Sequence, residues 1–222
     1  MIEFMRSVSI YVFLAIGTVL MLMVTVPLAR RLKLPLIRTI VFTVVLALVG
    51  LTGALLMGVV EGNPWGARSF FGALFLPPLV MLPVALILRY PYGKMLDLCA
   101  PAECIMLALL KLKCYADGCC YGREITLFSQ TFTFPSQLTE LVVALILMAV
   151  LIHMILSGRQ DGRIYPWYMI LYGASRFLLN LLRETTPFVW ILPAGNFWSL
   201  ISMALGGLAL YIINRKSRAL QA

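Results

Sequence analysis

Three cysteines and five charged residues crowd one short stretch, Lys111–Glu124 (KLKCYADGCCYGRE). Gly118 and Gly122 permit tight turns within it. A structural disulfide would join Cys114 to Cys119 or Cys120, because adjacent cysteines rarely bridge each other. A reactive thiolate is favoured by the neighbouring charges of Lys111, Lys113 and Arg123. The spacing C-x4-C-C lacks a paired C-x2-C knuckle and a nearby histidine, so no metal is expected. The residues alone leave the choice among these chemistries open. Cys99 and Cys104 read as packing residues in or beside a membrane helix.

Arg176, Asn180 and Arg183 are spaced i, i+4, i+7 and share one helical face. At ~1.5 Å rise per residue, Arg176 lies roughly two-thirds of the way across its span. An arginine at that depth costs several kcal/mol unless it faces a polar cavity or a partner. The available anion in a membrane is a lipid phosphate, which a guanidinium grips through paired hydrogen bonds. Arg183 either snorkels to the surface or joins this site. Gln137 and Glu140, spaced i, i+3, also share a face. They line the same cavity, or Ser136 and Glu140 cap the helix that starts near Pro135. Glu140 is the expected carboxylate partner of Arg176. The single histidine, His153, lies near the opposite end of its helix and reads as a packed or interfacial residue. No Ser-His-Asp, Walker, HExxH or GxSxG pattern appears, which disfavours a conventional hydrolase. No cofactor is implied.

The elements that must hold these residues are membrane helices. Of 222 residues, 62% are hydrophobic and 12% charged, with mean hydropathy +0.96. That excludes an ordinary soluble globule, a disordered tail and a disulfide-rich secreted module. About 20 apolar residues cross the hydrocarbon. Runs of that kind predict spans at Val8–Ala29, Ile37–Val60, Phe70–Leu88, a weaker Leu96–Leu110, Leu138–Leu156, Ile164–Leu182 and Phe197–Ile213. The first is too long, and too well flanked by Arg30 and Arg31, to read as a cleaved signal peptide. No linker, low-complexity tract or repeat divides the chain, so 1–222 reads as a single transmembrane domain.

The net charge of +9 would suggest nucleic acid in a soluble protein. Here it is better explained by cytoplasmic loops facing anionic lipid. With the N-terminus outside, eleven of the eighteen Lys and Arg fall in inner loops. These are Arg30, Arg31, Lys33, Arg38, Arg89, Lys94, Arg159, Arg163, Arg215, Lys216 and Arg218. The expected fold is therefore all-α and polytopic, with seven spans, N-out and C-in. Arg6, Arg68, Lys111, Lys113, Arg123, Arg176 and Arg183 escape the rule. Four polar features then gather at the outer ends of helices: the 62–69 loop, the 111–124 stretch, Phe134–Glu140, and the arginines of the sixth span.

The 111–123 segment KLKCYADGCCYGR resembles the signature R-[IL]-G-N-F-x-N-G-E-x-[WY]-G-R of the bacterial prolipoprotein diacylglyceryl transferase family. FPSQLTE at 134–140 resembles the family's H-P-S-Q-L-Y-E. YGASRFLLNLLR at 172–183 resembles its Y-G-x-x-R-F-x-x-E-x-x-R, and SFFGAL at 69–74 its S-F-H-G-G-L. The order and the seven-span, N-out topology also match, over nearly the whole chain.

The resemblance implies an enzyme of the bacterial inner (cytoplasmic) membrane. It moves diacylglyceryl from phosphatidylglycerol to the thiol of a lipobox cysteine, with glycerol 1-phosphate leaving and a thioether formed. It implies catalytic roles for Arg176, Glu140, Lys111 and Arg123. It implies substrate contacts for Arg183, Gln137, Ser136, Asn180, Asp117, Gly118, Gly122, Cys119 and Phe71. Two cations would stabilise the departing phosphate while a base takes the thiol proton. Several positions depart from the pattern. Phe71 stands for the motif histidine, Lys111 for its arginine, Cys119 for its glutamate, Cys114 for its first asparagine and Asn180 for the later glutamate. The phosphate-gripping residues thus match better than the acid–base residues. The partners implied are a phosphatidylglycerol-like lipid and a lipobox peptide or other acceptor. A divergent lipid-handling protein, or one using its own loop cysteines, is the alternative.

Overall fold

A computed structural model describes residues 9–62, 69–127, 130–158, 162–183, 188–189 and 191–219. These form seven helices: α1 (Ile10–Arg31), α2 (Leu36–Val60), α3 (Phe70–Leu88), α4 (Tyr92–Asp117), α5 (Ser136–Leu156), α6 (Ile164–Asn180) and α7 (Ala194–Ala219). Five of them, α1, α2, α3, α5 and α7, are long and apolar enough to cross a membrane. The chain is a multi-pass membrane protein. Helix α6 has only 17 residues. Helix α4 carries Lys94, Asp97, Glu103, Lys111, Lys113 and Asp117, which dilute its apolar signal.

Local chemistry sets the helix ends. Ser9 Oγ accepts from Tyr11 N–H at the start of α1 (3.3 Å), and Arg30 and Arg31 oppose the helix dipole at its end. Proline occupies the cap before α2, α4 and α5, where a missing N–H costs nothing. Helix α6 is capped from a distance. The buried Asp97 carboxylate of α4 accepts from the N–H groups of Gly162 (2.9 Å), Ile164 (2.9 Å) and Tyr165 (3.3 Å).

Close packing uses small residues, as expected where lipid removes the hydrophobic drive between helices. A Cβ on Gly53 or Gly72 would overlap the other's backbone carbonyl, so α2 and α3 touch there. A buried hydrogen bond links Thr25 of α1 to Thr43 of α2 (3.0 Å). The core runs through Met21, Phe42, Leu74, Met95, Leu98 and Tyr165.

Three sequence expectations change. The weak span Leu96–Leu110 is the middle of a 26-residue helix. No breaker follows Leu110 until Gly118, so Lys111, Lys113 and Cys114 are helical rather than loop residues. The purely helical expectation also gives way to two short antiparallel pairs. These are β1 (Glu124–Leu127) with β2 (Gln130–Thr133), and β3 (Phe188–Val189) with β4 (Leu192–Pro193). Four-residue and two-residue strands fall below what periodicity can register. The sixth helix stops at Asn180, so Leu181 and Leu182 lie beyond it. Val8, Arg6, Arg159 and the 63–68 part of the loop with Arg68 lie outside the described residues.

Candidate active site

The site forms at the end of the bundle where α4 and α6 finish and α5 begins. Glu140, just over one turn into α5, is buried there. Its Oε2 meets Lys111 Nζ of α4 at 2.6 Å. Its Oε1 pairs with Arg176 Nη1 of α6 and lies 3.6 Å from Arg183 Nη1. Three cations against one carboxylate leave the cluster net positive. Arg183 Nε is buried without a hydrogen-bond partner among the described residues, a donor still open to an acceptor. Lys111 became part of this cluster because α4 continues past Leu110.

The cations edge a cavity of about 430 Å³. Its far walls are apolar, with Leu14, Met21, Leu46, Leu51 and Met106 among the lining residues. A charged end and a greasy body suit an amphiphile. Phe71 is buried on this wall and meets Tyr172 edge-on at a centroid distance of 5.6 Å. Asp117 also lines the cavity and is paired with Lys113.

Other predicted site residues hold the walls instead. Ser136 Oγ donates to Cys120 C=O (2.6 Å), and the Gln137 amide donates to Cys119 C=O. These two side chains pin the Cys119–Cys120 turn to the first turn of α5. Gly118 ends α4 in the left-handed region at φ +71°. Gly122 passes so close to the chain that a Cβ would sit 2.6 Å from Phe134 C=O and 2.9 Å from Leu182 C=O. Arg123 donates from Nε to Arg183 C=O (2.8 Å) and from its backbone N–H to Leu182 C=O (2.9 Å). It therefore fixes the segment that carries Arg183 and is absent from the cavity lining. Asn180 is turned away, donating to Asn196 of α7. The shared face of residues 176, 180 and 183 breaks there because α6 ends at Asn180 and Arg183 follows in a turn.

Sequence reasoning missed Glu61 and Glu103 on the lining, and held Ser69 and Tyr172 only as members of the motifs at 69–74 and 172–183. Ser69 Oγ donates to Glu61 Oε1 (2.7 Å), and Tyr165 O–H donates to the buried Glu103 (3.1 Å). The position of Glu103 inside the weakest span was the available signal. Cys120, one of the three candidate thiols, also lines the cavity. It holds φ +63°, a left-handed conformation costing about 1–2 kcal/mol at a non-glycine residue. The Cys114 thiol beside it, then Lys111 and Arg183, bring the Cys120 thiol down to about 5, against the pull of burial. Partial desolvation at the surface, then the Cys120 thiolate, push the Cys119 thiol up.

The sequence profile of the prolipoprotein diacylglyceryl transferase family matches residues 2–213. A phosphatidylglycerol–prolipoprotein diacylglyceryl transferase of Bordetella avium is 31% identical over 169 residues, covering 70% of this chain and 64% of its own. The enzyme of that name from Bordetella parapertussis is 31% identical over 164 residues, 68% and 63% of the two chains. One from Clostridium tetani is 27% identical over 126 residues, 51% of each. The matched regions thus span less than two thirds of these relatives' own length. With the profile covering all but the ends of the sequence, the chain belongs to the prolipoprotein diacylglyceryl transferase family.

Proposed function

We propose that the protein is a phospholipid-dependent transferase that moves a diacylglyceryl group from a phosphatidylglycerol-like lipid to an acceptor thiol. The observation that carries this reading is the cluster of Lys111, Arg176 and Arg183 around one buried carboxylate, at the rim of a cavity whose walls are largely apolar. A lipid phosphate supplies the negative charge the cluster lacks, and acyl chains match the walls. Glu140 holds the guanidinium groups in place until the phosphate arrives, and Arg183 Nε offers a further donor. As the bond from glycerol carbon to phosphate oxygen breaks, charge grows on the leaving phosphate, and preorganised cations favour that transition state. The acceptor sulfur forms the new bond to the same carbon and loses its proton to a base. Relatives named for phosphatidylglycerol and prolipoprotein support both substrates.

The roles divide accordingly. Arg176, Arg183 and Lys111 bind and stabilise the phosphate, and Glu140 orients these three cations. Ser136, Gln137, Gly118, Gly122 and Arg123 position the turn and strand that close the site, and Asn180 braces α6 against α7. Phe71, Asp117 and Cys119 form the wall that meets the rest of the lipid or the acceptor. All seven helices span the inner membrane of a bacterium as one domain, N-terminus outside, with the cavity facing the outer leaflet. The eleven basic residues at inner loops support that orientation. The acceptor is a lipobox cysteine.

Phe71 and Asn180 favour a second reading, in which the chain binds lipid without transferring it. Both stand where the family resemblance implies ionisable groups, and neither moves a proton. Purified protein given phosphatidylglycerol and a lipobox peptide separates the two. Transfer requires the peptide to gain the mass of diacylglyceryl while glycerol phosphate is released. Saturable lipid binding with no peptide modification would leave only the second reading.

A further inference from the structure

The phospholipid reading makes no use of Cys114, Cys119 and Cys120 as a set, yet their sulfur atoms all lie within 4.8 Å of one another. Linear spacing alone does not produce this. Helix α4 ends at Gly118, and Cys119 N–H donates back to Cys114 C=O (3.1 Å). The chain therefore folds over the last turn that carries Cys114. Cys120 then adopts φ +63° and brings its thiol to the side of the other two. Both carbonyls of the Cys119–Cys120 turn are held from α5, by Gln137 and Ser136. A disfavoured backbone conformation fixed by two side chains of another helix is a built arrangement.

We infer that Cys114, Cys119 and Cys120 form a three-thiolate site for a single thiophilic d10 cation, Zn(II) or Cu(I). With a metal–sulfur bond of ~2.3 Å, thiolates around such an ion sit ~3.8–4.0 Å apart, about 1 Å or less inside the present bound. Thiolate donors select these ions over Mg(II) and Ca(II). Three thiolates exceed the charge of either ion, and Lys111 and Arg183 line the same cavity as the cluster, where they offset the excess. Cys119 and Cys120 are exposed, so an ion has a path in. The absence of a paired knuckle and of a nearby histidine matters less once the turn supplies the third ligand.

The test uses the full-length protein without a polyhistidine tag, purified in detergent under anaerobic conditions and stripped with a chelator. Zn(II) and Cu(I) are added in separate titrations, and metal per chain is measured after desalting. The expected result is about one ion per chain for at least one of them. Retention should fall at least about tenfold in Cys119→Ser and in Cys120→Ser, because each removes one of three ligands. His153→Ala keeps the ion. Arg176→Ala also keeps it, so this site and the phosphate site fail separately. Circular dichroism reports whether the Ser variants keep their helices. In the unaltered protein, the bound ion should slow alkylation of all three cysteines, a readout that needs no variant. Equal metal retention by the Ser variants, unprotected alkylation, no retention by the unaltered protein, or a Cys114 disulfide persisting in the anaerobic preparation would each overturn the site.

Discussion

At the residue scale, Glu140 is the hub, and its cations carry the proposed chemistry. Arg176→Ala should lower phosphatidylglycerol-dependent turnover by about 10²–10³, the range for removing one preorganised donor to developing charge. Arg176→Lys should lose nearly as much, because a point charge does not replace the planar fork. His153→Ala should leave turnover within about twofold, since His153 lies in the last turn of α5 while Glu140 lies near its first. Initial rates of peptide lipidation read all three. The Arg176–Glu140 pair was legible in the sequence because a deep arginine demands a partner and a carboxylate stood near the right helix end. Lys111 was legible as a charge but not as a partner of Glu140, because its place depended on where α4 ends. The pairing of Asn180 with Asn196 was not legible, since it joins residues that only tertiary packing brings together.

At the element scale, the turn between α4 and the β1–β2 hairpin decides the shape of the cavity rim. Gly122→Ala tests this. Its Cβ would press on Phe134 C=O and Leu182 C=O, both backbone atoms that move only with the segments leading into α5 and out of α6. The expected loss is about 1–3 kcal/mol of stability, measured as a lower melting temperature in detergent. Ser136→Ala should cost about 1 kcal/mol through the lost anchor on Cys120 C=O. The helices themselves were readable from apolar length. The strands were not, because short pairs are set by the neighbouring chain rather than by their own pattern. Ser136 and Gln137 illustrate the same limit. Their placement at the start of α5 was evident, but the carbonyls they hold belong to a turn visible only after folding.

At the scale of the whole molecule, charge asymmetry and site position point the same way. The Arg38 side chain reaches Arg89 C=O (3.0 Å), and Arg163 donates to Ser217 of α7 (3.2 Å). These contacts tie together basic segments assigned to the cytoplasmic side. The Glu140 cluster lies at the other ends of α4, α5 and α6. Single cysteines placed at Lys33 and at Glu124, in a background with the native thiols replaced by serine, should label from opposite sides of the membrane. Position 33 should react only after permeabilisation, and labelling of position 33 from outside would reverse the topology. The central claim is that the cations around Glu140 hold a lipid phosphate. Its most direct test is equilibrium binding of phosphatidylglycerol to the purified protein, compared with diacylglycerol, which has the same chains and no phosphate. The account predicts saturable phosphatidylglycerol binding that diacylglycerol does not displace and that Arg176→Ala weakens at least about tenfold, roughly 1.4 kcal/mol. Equal affinity for the two lipids, or unchanged phosphatidylglycerol binding in Arg176→Ala, would contradict it.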